Sequence, residues 1–210
     1  MVTKKAYILL IGLAISASTI FSTCTCNKQI IGCDNTVYSF ILDIKAHPDS
    51  EIISLGDTLW LEINSPVEFE DISSNTNINY SKAVNLGSAI GFGEFADKDS
   101  VIESANSFDF KLIYGKNQSN PYVSKIREYL FVEQGDRYLF KLGIVPKKKG
   151  IFGIGLSNAV NVYREDDKCT KADFVISFKS TRQHYYLNPN IDASNSDTTQ
   201  PSGNYYFKVE

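Results

Sequence analysis

Few residues in this chain are equipped for covalent or acid–base chemistry. There are two histidines, His47 and His184, and four cysteines, Cys24, Cys26, Cys33 and Cys169. A general base therefore has little choice before geometry is considered. Gly155-Leu156-Ser157-Asn158-Ala159 has the form of a nucleophile elbow with Ala in the final glycine position, and Asp173 and His184 follow in the order a serine hydrolase uses. An elbow requires a strand-to-helix turn, whereas the residues after Ala159, VNVYRE, read as extended, so Ser157 is expected at a strand end. The cysteines and histidines show none of the ligand spacings that tetrahedral zinc needs. GFGEF and GIFGIGLS lack the Lys-Ser/Thr of a phosphate loop and introduce no helix, which leaves close sheet packing as the reason for their glycines. The acidic runs EFED, ADKD and REDD follow no calcium-loop spacing, and DASNSD lacks the central glycine and distal glutamate. The expectation is a chain with no catalytic, cofactor-binding or metal-binding residues.

Aromatic side chains offer a different chemistry, because ring faces stack on the apolar faces of sugars. Trp60 in LWLEIN, and Tyr185 and Tyr186 beside His184 in QHYYLN, are the candidate ligand-stacking residues. The simpler reading places Trp60 at a sandwich edge and packs the tyrosine rings with their hydroxyls in water.

The elements that would carry these residues begin after a leader. Lys4 and Lys5 precede an almost unbroken apolar run from Ala6 to Ile20, followed by small polar residues. That is the layout of a secretory signal, and the run is shorter than the ~20 residues that cross a bilayer as a helix. Phe21-Ser22-Thr23-Cys24 resembles a bacterial lipoprotein signal, with Phe21 where Leu is usual and Thr23 where Gly or Ala is usual. The resemblance implies a signal peptide over 1–23, lipidation of Cys24 (with Cys26 as the alternative site) and attachment to a membrane through acyl chains, which anchor by ~0.8 kcal/mol per buried methylene. Residues 24–34 are polar and suit a tether. With Cys24 lipidated, three thiols remain in an oxidising space. Cys33 and Cys169 each stand just before a strand pattern and form the preferred disulfide; Cys26 with Cys33 is the local alternative.

The remaining composition is that of a globular protein, 43% hydrophobic and 21% charged. The net charge of −3 comes with no basic stripe, which argues against a nucleic-acid partner. Lys147 to Lys149 lie between Pro146 and Gly150 and read as a solvated turn.

Period-two alternation recurs along residues 35–210. VYSFILDI, LWLEIN, SFDFKLIYG, RYLFKLGIV, IFGIGLS, ADFVISF and YYFKVE read as strands, and AVNLGSAIGFGEF as a strand with a bulge or a close backbone neighbour. The first two-thirds of SPVEFEDISSNTNINYSKAVN reads as loop, as does NPNIDASNSDTTQPSGN. Asn120 and Pro121 could open a helix through Val123, Ile126 and Leu130, but the density of aromatic and β-branched residues favours a strand over IREYLFV. These patterns predict an all-β fold: one antiparallel β-sandwich over 35–210, immunoglobulin-like, with long loop insertions because the chain exceeds the ~100 residues of such domains.

Together, FSTC, CDNTVYSF, ISLGDTLWLEINSP, GDRYLFKLGI, KKGIFGIGLS and YYFKVE resemble a group of Bacteroidetes-type envelope lipoproteins. In that group, acidic residues after the lipidated cysteine mark export to the cell surface. CTCNKQ has none, so the resemblance implies the periplasmic face of the outer membrane. Asp57-Thr58-Leu59, Asp99-Ser100-Val101 and Asp197-Thr198-Thr199 resemble the O-glycosylation sequon of such bacteria. The functional expectation is a lipid-anchored, non-enzymatic protein that binds or scaffolds something in the envelope, with an exposed sheet edge as a route to another protein. The alternative is a glycan-binding accessory protein of a polysaccharide uptake system.

Overall fold

The computed structural model describes residues 36–97, 100–119, 125–189 and 202–210. Cys24, Cys26, Cys33 and the segment expected to be a leader lie outside these residues, as does most of the asparagine- and serine-rich stretch before the last strand. Eighteen strands run in the order β1 Val37–Asp43, β2 Lys45–His47, β3 Ile52–Ile53, β4 Leu59–Pro66, β5 Glu68–Glu70, β6 Asn77–Asn79, β7 Ala83–Val84, β8 Gly87–Asp97 and β9 Ser100–Glu103. They continue as β10 Phe108–Tyr114, β11 Lys116–Asn117, β12 Ile126–Leu130, β13 Val132–Gln134, β14 Arg137–Pro146, β15 Gly150–Leu156, β16 Ala159–Arg164, β17 Asp167–Ser177 and β18 Asn204–Val209. No α-helix occurs among the described residues; Ala105–Ser107 and Tyr185–Leu187 form short 3-10 turns.

The fold is an all-β sandwich. Sheet A has the order β1-β17-β16-β7, sheet B the order β10-β14-β4-β2, and sheet C the order β11-β12-β8-β15-β18-β3. Alternation places Leu59, Leu61 and Ile63 of β4 and Tyr138, Phe140, Leu142 and Ile144 of β14 inside. Sheets B and C meet through ring contacts such as Phe108–Phe152 at 5.0 Å and Phe92–Phe110 at 5.1 Å. A second aromatic cluster, Phe40, Phe69, Tyr80 and Phe174, holds sheet A to the β5–β6 hairpin.

Two features depart from the sequence reading. Most pairings are antiparallel, yet β1 runs parallel to β17 and β18 parallel to β3. Strand polarity across long connections leaves no trace in periodicity. The stretch after Pro66, expected as loop, contains the β5–β6 hairpin, which buries Phe69. Its turn is built by Asp71, whose carboxylate accepts the backbone N–H groups of Ser39 at 2.8 Å and Ser74 at 2.9 Å. These bonds hold the carboxyl below its ordinary pKa. At 126–130 the structure has strand β12, while 120–124 lies outside the described residues.

Candidate functional site

The segment between β17 and β18 gathers the chemistry. After Ser177 the chain folds back across the end of β2 through a series of bonds between backbone and side chains. Ser180 N–H donates to Asp43 Oδ1 at 3.1 Å, Ala46 N–H to Thr181 Oγ1 at 3.2 Å, and Arg182 N–H to Asp49 Oδ2 at 3.2 Å. Tyr206 N–H then donates to Gln183 C=O at 3.1 Å, which docks the segment onto β18. His184 adopts a left-handed backbone conformation (φ 49°) and opens the 3-10 turn that carries Tyr185 and Tyr186. Histidine tolerates that region better than most residues.

His184 is only 8% exposed. Its ring meets Tyr205 edge-on at 5.7 Å and Tyr186 at 6.1 Å. Nδ1 lies 3.4 Å from the Tyr186 hydroxyl, which donates to Glu51 Oε2 at 2.6 Å. Nε2 points toward Asp49 Oδ1 at 3.7 Å, too far for a hydrogen bond, and is a buried nitrogen without a hydrogen-bond partner among the described residues. With the Tyr186 proton given to Glu51 and Asp49 a carboxylate, both sides of the ring call for a donor; a neutral ring donates on one side and only the imidazolium donates on both. Burial pushes the His184 pKa below its ordinary value, and the charges of Asp49 and Glu51 pull against that shift. The bond to Glu51 raises the Tyr186 pKa, keeping that hydroxyl protonated.

Tyr185 covers Tyr206 at 5.8 Å on the outward face of sheet C, and Asn188 Nδ2 donates to the Tyr206 hydroxyl at 3.2 Å. Tyr186 stands 62% exposed with its hydroxyl held by Glu51. The result is a shelf of two tyrosines over a buried imidazole, bordered by Asp49, Glu51 and Asn188. Spacing alone flagged the tyrosines and His184. Asp49 and Glu51 went unnoticed because HPDSE reads as turn chemistry, and their role exists only once the 181–188 segment folds onto them.

Trp60 is elsewhere. It occupies the outward face of sheet B, opposite Gly143, where an added Cβ would stand 2.9 Å from the ring. The ammonium groups of Lys141 and Lys111 lie 5.4 and 6.0 Å from the ring centroid. Since the inner faces of sheets B and C meet, Trp60 and the tyrosine shelf lie on opposite outer faces. Beside Trp60 in register, His47 borders a groove of about 580 Å³ that also includes Asp43, Lys45 and Glu62.

The hydrolase-like series is distributed over separate bonds. Ser157 Oγ accepts Ala89 N–H at 2.8 Å, its C=O accepts Ser88 Oγ–H at 2.8 Å, and Asp173 Oδ1 accepts Asn161 N–H at 2.7 Å. Ser157 thus ties β15 to β8 beside a cavity of about 360 Å³ that Glu128 and Tyr163 also line. Cys169 lies on β17, where Asp167 Oδ1 accepts its N–H at 3.0 Å.

No protein-family model matches the chain, and no curated protein matches it. Among solved structures, the chain is similar to the human F-spondin reeler domain at 8% identity and TM-score 0.39, over 87% of this chain and 99% of that one. It is also similar to a non-cellulosomal cohesin from the archaeon Archaeoglobus fulgidus at 13% identity and TM-score 0.31, over 80% and 90% of the respective chains.

Proposed function

We propose that this chain is a lipid-anchored, non-enzymatic envelope protein: Cys24 carries the acyl anchor, and the β-sandwich presents a binding or scaffolding surface on the periplasmic face of the outer membrane. The observation that carries this reading is the tyrosine shelf. Tyr186 is fixed at its hydroxyl by Glu51 while its ring stays exposed, which is how a rigid contact surface is built rather than a reaction centre. The bonds that engage Ser157 and Asp173 with backbone N–H groups support the non-catalytic reading.

A glycan ligand is the second reading, favoured by the exposed ring of Tyr186 beside hydrogen-bonding Glu51 and Asn188. The Cys33–Cys169 disulfide belongs to the same proposal. The parallel register brings Thr36 C=O to Lys171 N–H at 2.9 Å, and the three residues back to Cys33 span at most about 11 Å. A span of that length supports a bridge to Cys169, two positions before Lys171.

Labelling with a palmitate analogue tests the anchor: the wild-type chain takes up label and Cys24→Ser does not. An unlabelled wild-type protein, or an N-terminal mass that retains Met1, overturns it. A glycan array read with wild type and Tyr186→Ala tests the ligand, with loss of signal in the variant as the expected result. No signal for wild type on any polysaccharide removes the glycan reading.

A further inference from the structure

The strand β10 lies at one side of sheet B. Among the described residues it pairs with β14 along one side only and leaves its other edge open. Its hydrogen-bonding phase can be read from the residue before it: Ser107 C=O accepts Lys147 N–H at 2.9 Å, so the odd-numbered residues bond β14. Pro146, which has no N–H to give, accordingly faces even-numbered Phe108. Phe108, Phe110 and Leu112 therefore aim their backbone groups away from the sheet. The Phe108 N–H is taken by Ala105 C=O. No bond among the described residues engages the Phe110 N–H and C=O, the Leu112 N–H or the Phe108 C=O. The regular edge ends there, since a register shift follows between Leu112 and Tyr114.

This five-residue edge, Phe-Asp-Phe-Lys-Leu, is nearly its own complement when reversed. We infer that β10 pairs antiparallel with β10 of a second copy of this chain, with Phe110 on the two-fold axis. In that register the Phe110 N–H donates to the partner's Phe110 C=O, and the Leu112 N–H donates to the partner's Phe108 C=O. Asp109 faces the partner's Lys111, and Phe108 faces the partner's Leu112. Opposite charges fall directly opposite twice, and apolar residues meet apolar residues on the inner face. A one-residue slip centred on Lys111 sets two lysines face to face, so charge selects the register. The outer-face groups give up only weak surface contacts to pair this way: Asp109 the exposed Lys147 at 3.1 Å, and Lys111 its place 6.0 Å from the Trp60 ring centroid, an exchange with little cost. The interface is of the isologous kind that closes as a dimer, and the inference stands independently of the anchor and of the shelf's ligand.

Two experiments on the full chain test it. Phe110→Cys should give a disulfide-linked dimer on mild oxidation, since directly opposed residues of a hydrogen-bonded pair stand with Cα atoms about 5.5 Å apart, within disulfide range. Exposed Val160→Cys, on β16, should give none. Sedimentation of the unmodified chain should show a concentration-dependent dimer. Asp109→Lys or Lys111→Asp alone should raise its dissociation constant about tenfold, and the double reversal should restore it. A wild-type chain that sediments as a monomer at every concentration overturns the inference. So do single reversals that leave the constant unchanged, and a Phe110→Cys chain linked to a different protein rather than to itself.

Discussion

At the sheet A end, Tyr80 and Tyr138 are buried and fully served. Tyr138 donates to Tyr80 C=O at 2.7 Å and accepts Ala83 N–H at 3.0 Å, while Tyr80 donates to Val162 C=O at 2.8 Å. At the end between β17 and β18, His184 is also buried but keeps a ring nitrogen without a hydrogen-bond partner among the described residues. Burial pushes the Tyr80 pKa up to about 12, and raises that of Tyr138, so both remain neutral donors at any physiological pH. The imidazole has no such security. Proteins satisfy buried polar atoms wherever stability alone is served. The contrast is between hydroxyls whose bonds close inside the core and an imidazole whose Nε2 meets only the 3.7 Å carboxylate of Asp49 among the described residues.

The largest expected effect is at the core end. Phe174 contacts the rings of Phe40, Phe69 and Tyr80 at 5.2 to 5.7 Å. Phe174→Ala should cost about 3–5 kcal/mol of unfolding free energy, read from denaturant melts. Tyr138→Phe strips Tyr80 C=O of its donor and Ala83 N–H of its acceptor, and should cost about 1–3 kcal/mol. His184→Phe removes the unpaired nitrogen and should cost less than Tyr138→Phe; an equal or greater loss would erase the contrast.

Acid should separate the two ends further. The His184 pKa is lower folded than unfolded, so its contribution to stability is fully present above the unfolded value of about 6.5 and is lost as pH falls toward the folded one. Thermal melts should show a decline in stability below about pH 6.5 that is absent in His184→Phe. A wild-type melting profile flat across that range would show that the buried nitrogen is not neutral. The smallest effect belongs to Tyr186→Phe, which should barely move the melting temperature while weakening any ligand held by the shelf. That split separates a surface used for binding from one used for packing.

LWLEIN and SFDFKLIYG are legible as strands because period two is a local property of a half-buried strand, and Leu59, Leu61 and Phe108 prove to be on the buried side. The close neighbour inferred for the glycine-rich strand is present at Gly87, where a Cβ would stand 2.2 Å from Tyr129 C=O. Nonlocal facts were not legible. The parallel β1–β17 pairing, the hairpin anchored by Asp71 and the approach of Asp49 to His184 join residues far apart in sequence. The separation of Trp60 from Tyr185 also required knowing which sheets face each other. Of the candidate site, residue types were readable and partners were not.

The closing strand β18 lies inside sheet C, between β15 and β3, and Tyr205 donates to Ser50 C=O across 155 positions of sequence. Sheet C is thus incomplete until both distant segments have emerged, and contacts of such range are slow to form. The last-made strand is therefore the one that locks the layer, and losing it would leave β15 and β3 each with an unpaired side.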